Sequence, residues 1–393
     1  MSRQRPKANS KAGSTRAGLV AIAKVVGVSP STVSNAYNRP DQLSPALRER
    51  ILRTAAELGY PGPDPLARTL RRGRAGALGV LFEEQLPYPF DDPHAVRVLQ
   101  GVAEGIADQG LALVLVPGSP DRATHGEAIR NAAVDGFILH SLVQDEPLLQ
   151  IALERQLPAV IIDAPPVDGL DFVGIDDRTG AATATDHLLA LGHTNLGILT
   201  FRLTARIHPG PVPLAERRRA TSTIGRDRLQ GCADSISAAG LNWAEVPVQE
   251  CSTTSVEAGR VGTRALLERA PDITGIVAFS DRLALGAKLE ASHFGMSVPG
   301  DLSIVGFDDV LPAVDDLTTI NQPQLDKGRI AAERLIDRLA GGKSVPRRER
   351  LARQARAIPY PDTSSASTLE TRNTRPRWPA IARPISFSER PLP

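Results

Sequence analysis

Apolar residues recur at helical spacing over residues 19–60 and in short unbroken runs beyond residue 76, so the chain predicts two kinds of structure. In LVAIAKVV, Leu19, Ile22, Ala23 and Val26 share one face, and Gly27 supplies the permissive backbone for a tight turn. Ser29 can N-cap a second helix, with Pro30 at a first position whose N–H needs no partner. Ser44 and Pro45 repeat the device before a third helix. There Leu47, Ile51, Ala55 and Leu58 trace an apolar face until Gly59 stops it. Three short helices are predicted.

Residues 61–76, PGPDPLARTLRRGRAG, are a Pro-rich and then Arg-rich connector. Beyond it apolar runs alternate with helical ones. Predicted strands are ALGVLF (77–82), LALVLV (111–116), DGFILH (135–140), PAVIID (158–163), LGILT (196–200), GIVAF (275–279) and LSIVGF (302–307). Predicted helices between them cover 95–108, 123–133, 146–155, 179–191, 226–239, 256–269 and 281–294, and another follows at 326–342. Short runs buried on both faces and separated by helices imply parallel sheets in a doubly wound α/β body. That body is long for one sheet, so it divides into two lobes near 174–176. Lobe 1 takes residues 77–175 and 323–345, and lobe 2 takes 176–322.

Composition changes the picture mainly through charge. The 393 residues carry a formal +2. Residues 1–76 hold 14 Lys and Arg against 4 Asp and Glu, a net +10, while 77–345 come to −14 and 346–393 to +6. A basic head on an acidic body suggests an anionic partner for the head. An apolar content of 41% excludes whole-chain disorder. Nothing reaches 18 consecutive apolar residues, so no membrane span is expected. The basic start, residues 1–18, has no apolar segment of a secretory signal and reads as a disordered arm. Two cysteines, Cys232 and Cys251, fit a reducing cytoplasm rather than a disulfide framework.

The string IAKVVGVSPSTVSNAYN, continued by an apolar helix to LGY and by ARTLR in the connector, resembles the lac-repressor family of transcriptional regulators. The resemblance implies a helix-turn-helix head over 19–60 that reads double-stranded DNA. Pro30, Ser31 and Asn35 match the base-reading positions, and Ser29, Thr32, Ser34 and Asn38 have short donors suited to phosphate. Ser29 also has the plainer reading of a helix cap, while Val28, Val33 and Ala36 read as core. The family commonly has Arg where this chain has Asn35, and an acidic residue where it has Ala21. Asn pairs with adenine and Arg with guanine, so an A·T preference is expected there. The connector at 61–76 resembles the family's hinge helix, with Leu70 at the minor-groove wedge and Ala67 beside it.

The resemblance continues to about residue 345 through VDGFIL, VGIDDRTGAATATDHLLALGHTNLGIL, RDRLQG, AFSDRLALGA, VPGDLSIVGFDDV and LTTINQP. It implies a body like the periplasmic sugar-binding proteins, two α/β lobes around a cleft. Ligands of open sheets sit beyond the carboxyl ends of strands, where Asp163, Ser280 and Asp308 fall. Arg228, Ser280 and Asp308 match far-lobe effector positions, and Asp163 and Glu83 are near-lobe candidates. Carboxylates can take two sugar hydroxyls and Arg offers a rigid donor fork. The plainer readings are a turn at Asp308–Asp309 and a surface helix residue at Arg228. The family often has an amide near Ser280 and a large aromatic near Gln324.

Tests for enzymes fail: the dinucleotide fingerprint is absent, GGKS lacks the first phosphate-loop glycine, and no G-x-S-x-G occurs. The seven histidines are dispersed without metal-ligand spacing, so no metal and no cofactor are expected. Residues 346–393 lose all periodicity and read as a disordered tail, in which RRERLARQARA could form a short helix. The chain is therefore expected to be a cytoplasmic, homodimeric repressor that binds a palindromic operator. A sugar-like effector would sit in its cleft. The alternatives are a non-regulatory solute-binding protein, or an enzyme on the same body.

Overall fold

The computed structural model describes residues 18–62, 73–118, 126–144, 147–310, 316–342 and 344–356. The basic arm to residue 17, the hinge residues Ala67 and Leu70, and everything after Arg356 lie outside the described residues. The chain divides into two compact units. One holds the described residues of 1–79, 110–114 and 132–136, the other those of 80–109, 115–131 and 137–356.

The head has helices α1 (Leu19–Val26), α2 (Pro30–Asn38) and α3 (Pro45–Glu57), with a 3-10 turn at Pro40–Gln42. Its ends form as the residues there dictate. Gly27 takes φ 78° and returns its N–H to Ala23, while the hydroxyls of Ser29 and Ser44 accept the amides of Thr32 and Leu47. Ile22, Val33, Ala36 and Ile51 are fully buried between the helices. Arg48 Nε donates to Ala36 O (3.3 Å) and Arg50 Nη2 to Val26 O (3.1 Å), so α3 puts positive charge on the carbonyl ends of the other two helices. One expected core position fails: Leu58 is 38% exposed, and Thr54 is buried one turn earlier.

The body contains β1 (Ala77–Leu81), α4 (Tyr88–Asp91), α5 (Pro93–Ile106), β2 (Ala112–Val116), α6 (Glu127–Asn131), β3 (Gly136–His140), α7 (Pro147–Glu154), β4 (Ala159–Ile162) and β5 (Asp171–Gly174). It continues with α8 (Asp177–Ala190), β6 (Leu196–Thr200), β7 (Gly210–Pro211), α9 (Leu214–Arg217), α10 (Thr223–Ala238), β8 (Val248–Glu250), α11 (Val256–Arg269), β9 (Gly275–Ala278) and α12 (Asp281–His293). It ends with β10 (Ser303–Asp308), β11 (Thr318–Asn321), α13 (Gln324–Leu339), β12 (Arg348–Arg350) and β13 (Gln354–Arg356). Two sheets result, ordered β12-β5-β4-β3-β1-β2 and β13-β11-β10-β9-β6-β8-β7. The pairs β3/β4, β4/β5 and β5/β12 are parallel, as are β8/β6, β6/β9, β9/β10 and β10/β11. The edge pairs β7/β8 and β11/β13 are antiparallel. Among the described residues, no single helix is long and apolar enough to cross a membrane.

Each predicted strand is present, and all of them except β2 are buried along their whole length. The loss of pattern expected from residue 346 does not begin there. RER and QAR, expected as coil or a short helix, extend one strand onto each sheet. Their pairing comes from backbone bonds to β5 and β11, for which side-chain periodicity carries no signal. Helices α5 and α13 meet through glycines. A Cβ on Gly101 would stand 1.9 Å from Leu325 O, and one on Gly328 2.0 Å from Val98 O. That approach holds α13 along β4, with Lys327 in the interior.

Candidate functional site

The head presents α2. Pro30 and Ser31 are exposed at its start, and Asn35 is half-buried one turn on, with Nδ2 donating to Gln42 Oε1 at 3.3 Å. The Ser29, Ser31 and Thr32 hydroxyls form a local cluster, Ser29 Oγ lying 2.7 Å from Ser31 Oγ and 2.8 Å from Thr32 Oγ1. Asn38 Nδ2 donates back to Ser34 O (3.0 Å) and Oγ (3.1 Å). Small hydroxyl and amide groups at a helix N-terminus can approach a nucleic-acid groove closely.

In the body a cavity of about 200 Å³ opens where strands of both sheets end. That is below the roughly 300–1,000 Å³ of drug-sized sites and suits a small ligand. Asp163 follows β4, Asp308 closes β10, and both have positive φ (67° and 121°), turning their carboxyls inward. A continuous polar chain joins them. Lys327 Nζ lies 2.5 Å from Asp163 Oδ1 and donates to Gln322 Oε1 (2.5 Å), and Gln322 Nε2 donates to Asp308 Oδ1 (2.6 Å). Gln324 Nε2 donates to Asp308 O at 2.5 Å. His94 stands between the two carboxyls, 3.7 Å from Asp163 and 3.8 Å from Asp308. On the other side Arg228 donates to Asp177 Oδ1 (2.8 Å) and Phe279 O (2.5 Å), and its guanidinium lies 3.5 Å from the centre of the Phe307 ring.

These neighbours set the charges. Burial pushes the Asp308 carboxyl up to about 6, although His94 and Arg228 oppose it. Asp163 is equally buried, but Lys327 and then His94 outweigh burial and hold it well below the usual carboxylate range. Burial disfavours a charged His94, yet Asp163 and Asp308 raise it above its ordinary value. His140, buried and beside His94, falls to about 3. Burial also raises Glu84, and it raises the Tyr88 phenol, which Asp92 pushes further while accepting its hydrogen bond at 2.5 Å. Paired acids, bases and amides around a small cavity, with the Phe201 ring on its wall, suit a ligand rich in hydroxyls.

Comparison with known proteins follows the same division. Residues 19–62 match the bacterial regulatory proteins of the lacI family, and 185–358 match a periplasmic binding protein-like domain. An HTH-type transcriptional regulator of Mycolicibacterium smegmatis is 41% identical over 339 residues, covering 84% of this chain and 93% of the relative. The chain belongs to the lacI family. This lacI-family chain is a DNA-binding transcriptional regulator and not an enzyme. A crystal structure of a lacI-family regulator from Corynebacterium glutamicum is 35% identical, with TM-score 0.67 over 86% of this chain and 96% of that one. The CelR–cellobiose complex is 30% identical, with TM-score 0.63 over 86% and 98%.

The regulator brings four of its five sequence-predicted effector residues to one cavity: Asp163, Arg228, Ser280 and Asp308. Arg228 is only 4% exposed, so its reading as a surface residue fails. Ser280 also caps α12, accepting Leu283 N–H at 3.2 Å. Glu83 is not among the lining residues. It pairs with Arg202, and its neighbour Glu84, in the bend that follows β1, lines the cavity instead. Sequence reasoning missed Tyr88, Asp92, His94, His140, Gln322 and Lys327. An Asp-Pro cap before α5 was the available signal for Asp92 and His94, since Asp92 Oδ1 accepts His94 N–H at 3.1 Å.

Proposed function

We propose that this lacI-family regulator is a cytoplasmic repressor that binds a palindromic operator as a homodimer and is switched by a small sugar-like effector. Pro30, Ser31 and Asn35 read bases. Ser29, Thr32, Ser34 and Asn38 position the head on phosphates, and Ala67 and Leu70 of the hinge engage the minor groove. Arg228, Asp308, Ser280 and Asp163 hold the effector. The observation that carries this reading is the cavity: a chain of buried hydrogen-bonding groups from Asp163 through Lys327 and Gln322 to Asp308, at the carboxyl ends of strands of both sheets. A relative solved with cellobiose and the +10 head support the two halves of the proposal.

The test is selection from a random DNA pool by the full chain, repeated with a panel of sugars and polyols. A two-fold symmetric site, bound with a salt slope of several ions and shifted by one panel member, is the expected result. Selection of no sequence with or without the panel overturns the proposal.

A further inference from the structure

Seven histidines scattered through the sequence showed no ligand spacing, yet folding brings two of them to one carboxylate. His94 at the start of α5, His140 at the end of β3 and Asp163 after β4 each offer a donor atom, and these atoms lie within 4.8 Å of one another. We propose that this cluster binds a divalent first-row transition metal ion, zinc by preference, with an open coordination position facing the cavity.

Two observations besides proximity point to a cation. Both histidines hold buried ring nitrogens without a hydrogen-bond partner among the described residues, His94 Nδ1 and His140 Nε2. For His94 Nδ1, Asp308 Oδ1 stands at 3.8 Å, beyond hydrogen-bond length. His140 is 5% exposed and lines the cavity, so a free nitrogen there is an expense that a metal ion would remove. The second observation is the charge ledger. Arg202 is matched by Glu83, Arg228 by Asp177 and Lys327 by Asp163. Among the lining residues, the carboxyls of Glu84, Asp92 and Asp308 have no Lys or Arg ion pair and face one likewise unpaired cation, Arg282, so among the described residues the cavity remains short of positive charge.

The donor chemistry selects the ion. Two imidazoles and one carboxylate suit zinc, cobalt or iron(II) over magnesium or calcium, which take oxygen sets. Zinc bonds of about 2.0–2.1 Å place tetrahedral donors roughly 3.3 Å apart, so the cluster must contract by about 1.5 Å. His94, whose side chain is the most exposed of the three at 13%, can supply that movement. Lys327 engages Asp163 Oδ1 and leaves Oδ2 for the metal, fixing the carboxylate from behind. Three protein ligands leave one position for a hydroxyl or carboxylate of whatever the cavity holds. Asp163 then reaches that molecule through the metal and not directly, and metal binding depends neither on the identity of that molecule nor on DNA binding.

The experiment is titration of the chelator-stripped full chain with CoCl2, following the visible ligand-field band, and with ZnCl2 against a chromophoric chelator. One equivalent should bind per chain. His94→Gln and His140→Gln should each weaken binding at least about tenfold. His293→Gln, on the exposed end of α12, should leave it unchanged. Circular dichroism confirms that each variant is folded, and if His140→Gln is not, the more exposed His94→Gln carries the test. Failure of the folded wild-type chain to take up Co2+ overturns the proposal, as does uptake that survives in folded His94→Gln.

Discussion

Lys327 and Asp163 form an ion pair, Nζ to Oδ1 2.5 Å, in which the lysine side chain is wholly buried and the carboxylate nearly so. A buried ammonium is tolerated only when its donors are taken up, and the second goes to Gln322 Oε1 at 2.5 Å. The pair ties α13 to the end of β4 and sets one wall of the cavity. Lys327→Met should leave Asp163 as an unmatched buried charge and cost about 3–5 kcal/mol in urea unfolding. Adding Asp163→Asn to that variant should recover part of the loss. A Lys327→Met chain as stable as wild type would refute the assignment.

Arg228 is held from three sides, by Asp177, by Phe279 O and by the Phe307 ring. Arg228→Lys keeps the charge but loses the planar fork and the stacking. It should lower stability by about 2–4 kcal/mol, on the order of a buried charge-assisted hydrogen bond plus lost packing. Guanidinium unfolding monitored by tryptophan fluorescence checks it. If Arg228 serves only to touch ligand, the midpoint will not move.

Part of this site is legible in the sequence and part is not. Asp163, Ser280 and Asp308 could be placed because they end apolar runs, and a parallel sheet sends every such end to one side. Lys327 could not. In DKGRIAAERLIDRL it reads as one more charge on an amphipathic helix, and only the Gly101–Gly328 approach turns it inward. The strands β5, β8 and β11–β13 were missed because they are three or four residues long and contain polar residues, so their partners define them and their own pattern does not. The three helices of the head, by contrast, match almost residue for residue. Their boundaries are written in local Ser-Pro and Gly chemistry.

Asn35 sits one turn inside α2, beside Ser31 on the face that leads with Pro30, and its amide rests on Gln42. An amide can pair with adenine N6 and N7, whereas a guanidinium pairs with guanine O6 and N7. Asn35→Arg should therefore move one position in each half-site from A·T to G·C, a change in preference of about 1–3 kcal/mol. Selected-site sequencing of both chains decides this. Invariant guanine in both sets would remove Asn35 from base reading.

Asp281 is 1% exposed at the start of α12, accepting Thr319 Oγ1 at 2.5 Å and Val310 N–H at 2.9 Å. Burial, and then Asp308, raise it to about 7, and Asp309 adds to the effect. A raised folded value means that the native state holds this proton longer than the unfolded chain. Its contribution to stability is whole below about pH 4, declines as pH rises, and is lost as pH passes through about 7. Asp281→Asn should remove that dependence. The stability difference, variant minus wild type, should grow with pH between 4 and 7 to a few kcal/mol at most. Thermal melts across that range test it, and a difference that stays flat would show that Asp281 is ionised in the folded protein throughout.

The segment 347–356 completes both sheets, and its removal should be felt in both. Arg348–Arg350 pair with Phe172–Gly174, Phe172 N–H donates to Arg347 O at 2.9 Å, and Leu351 N–H donates to Gly174 O at 2.7 Å. Asp171 then ties the strand to α13, accepting Arg347 N–H at 2.8 Å and Arg338 Nε at 2.7 Å. Gln354–Arg356 run antiparallel to Thr319–Asn321 on the second sheet. A chain ending at Gly342 would leave β5 and β11 as bare edges, with unpaired N–H and C=O groups that invite association. At about 1 kcal/mol for each lost hydrogen bond, it should unfold at distinctly lower urea and aggregate on heating. A chain ending at Arg356 keeps every described strand and should unfold at the wild-type midpoint. Equal midpoints for the two truncations would show that β12 and β13 add nothing to the folded state. A loss in both would place a stabilising contact beyond residue 356.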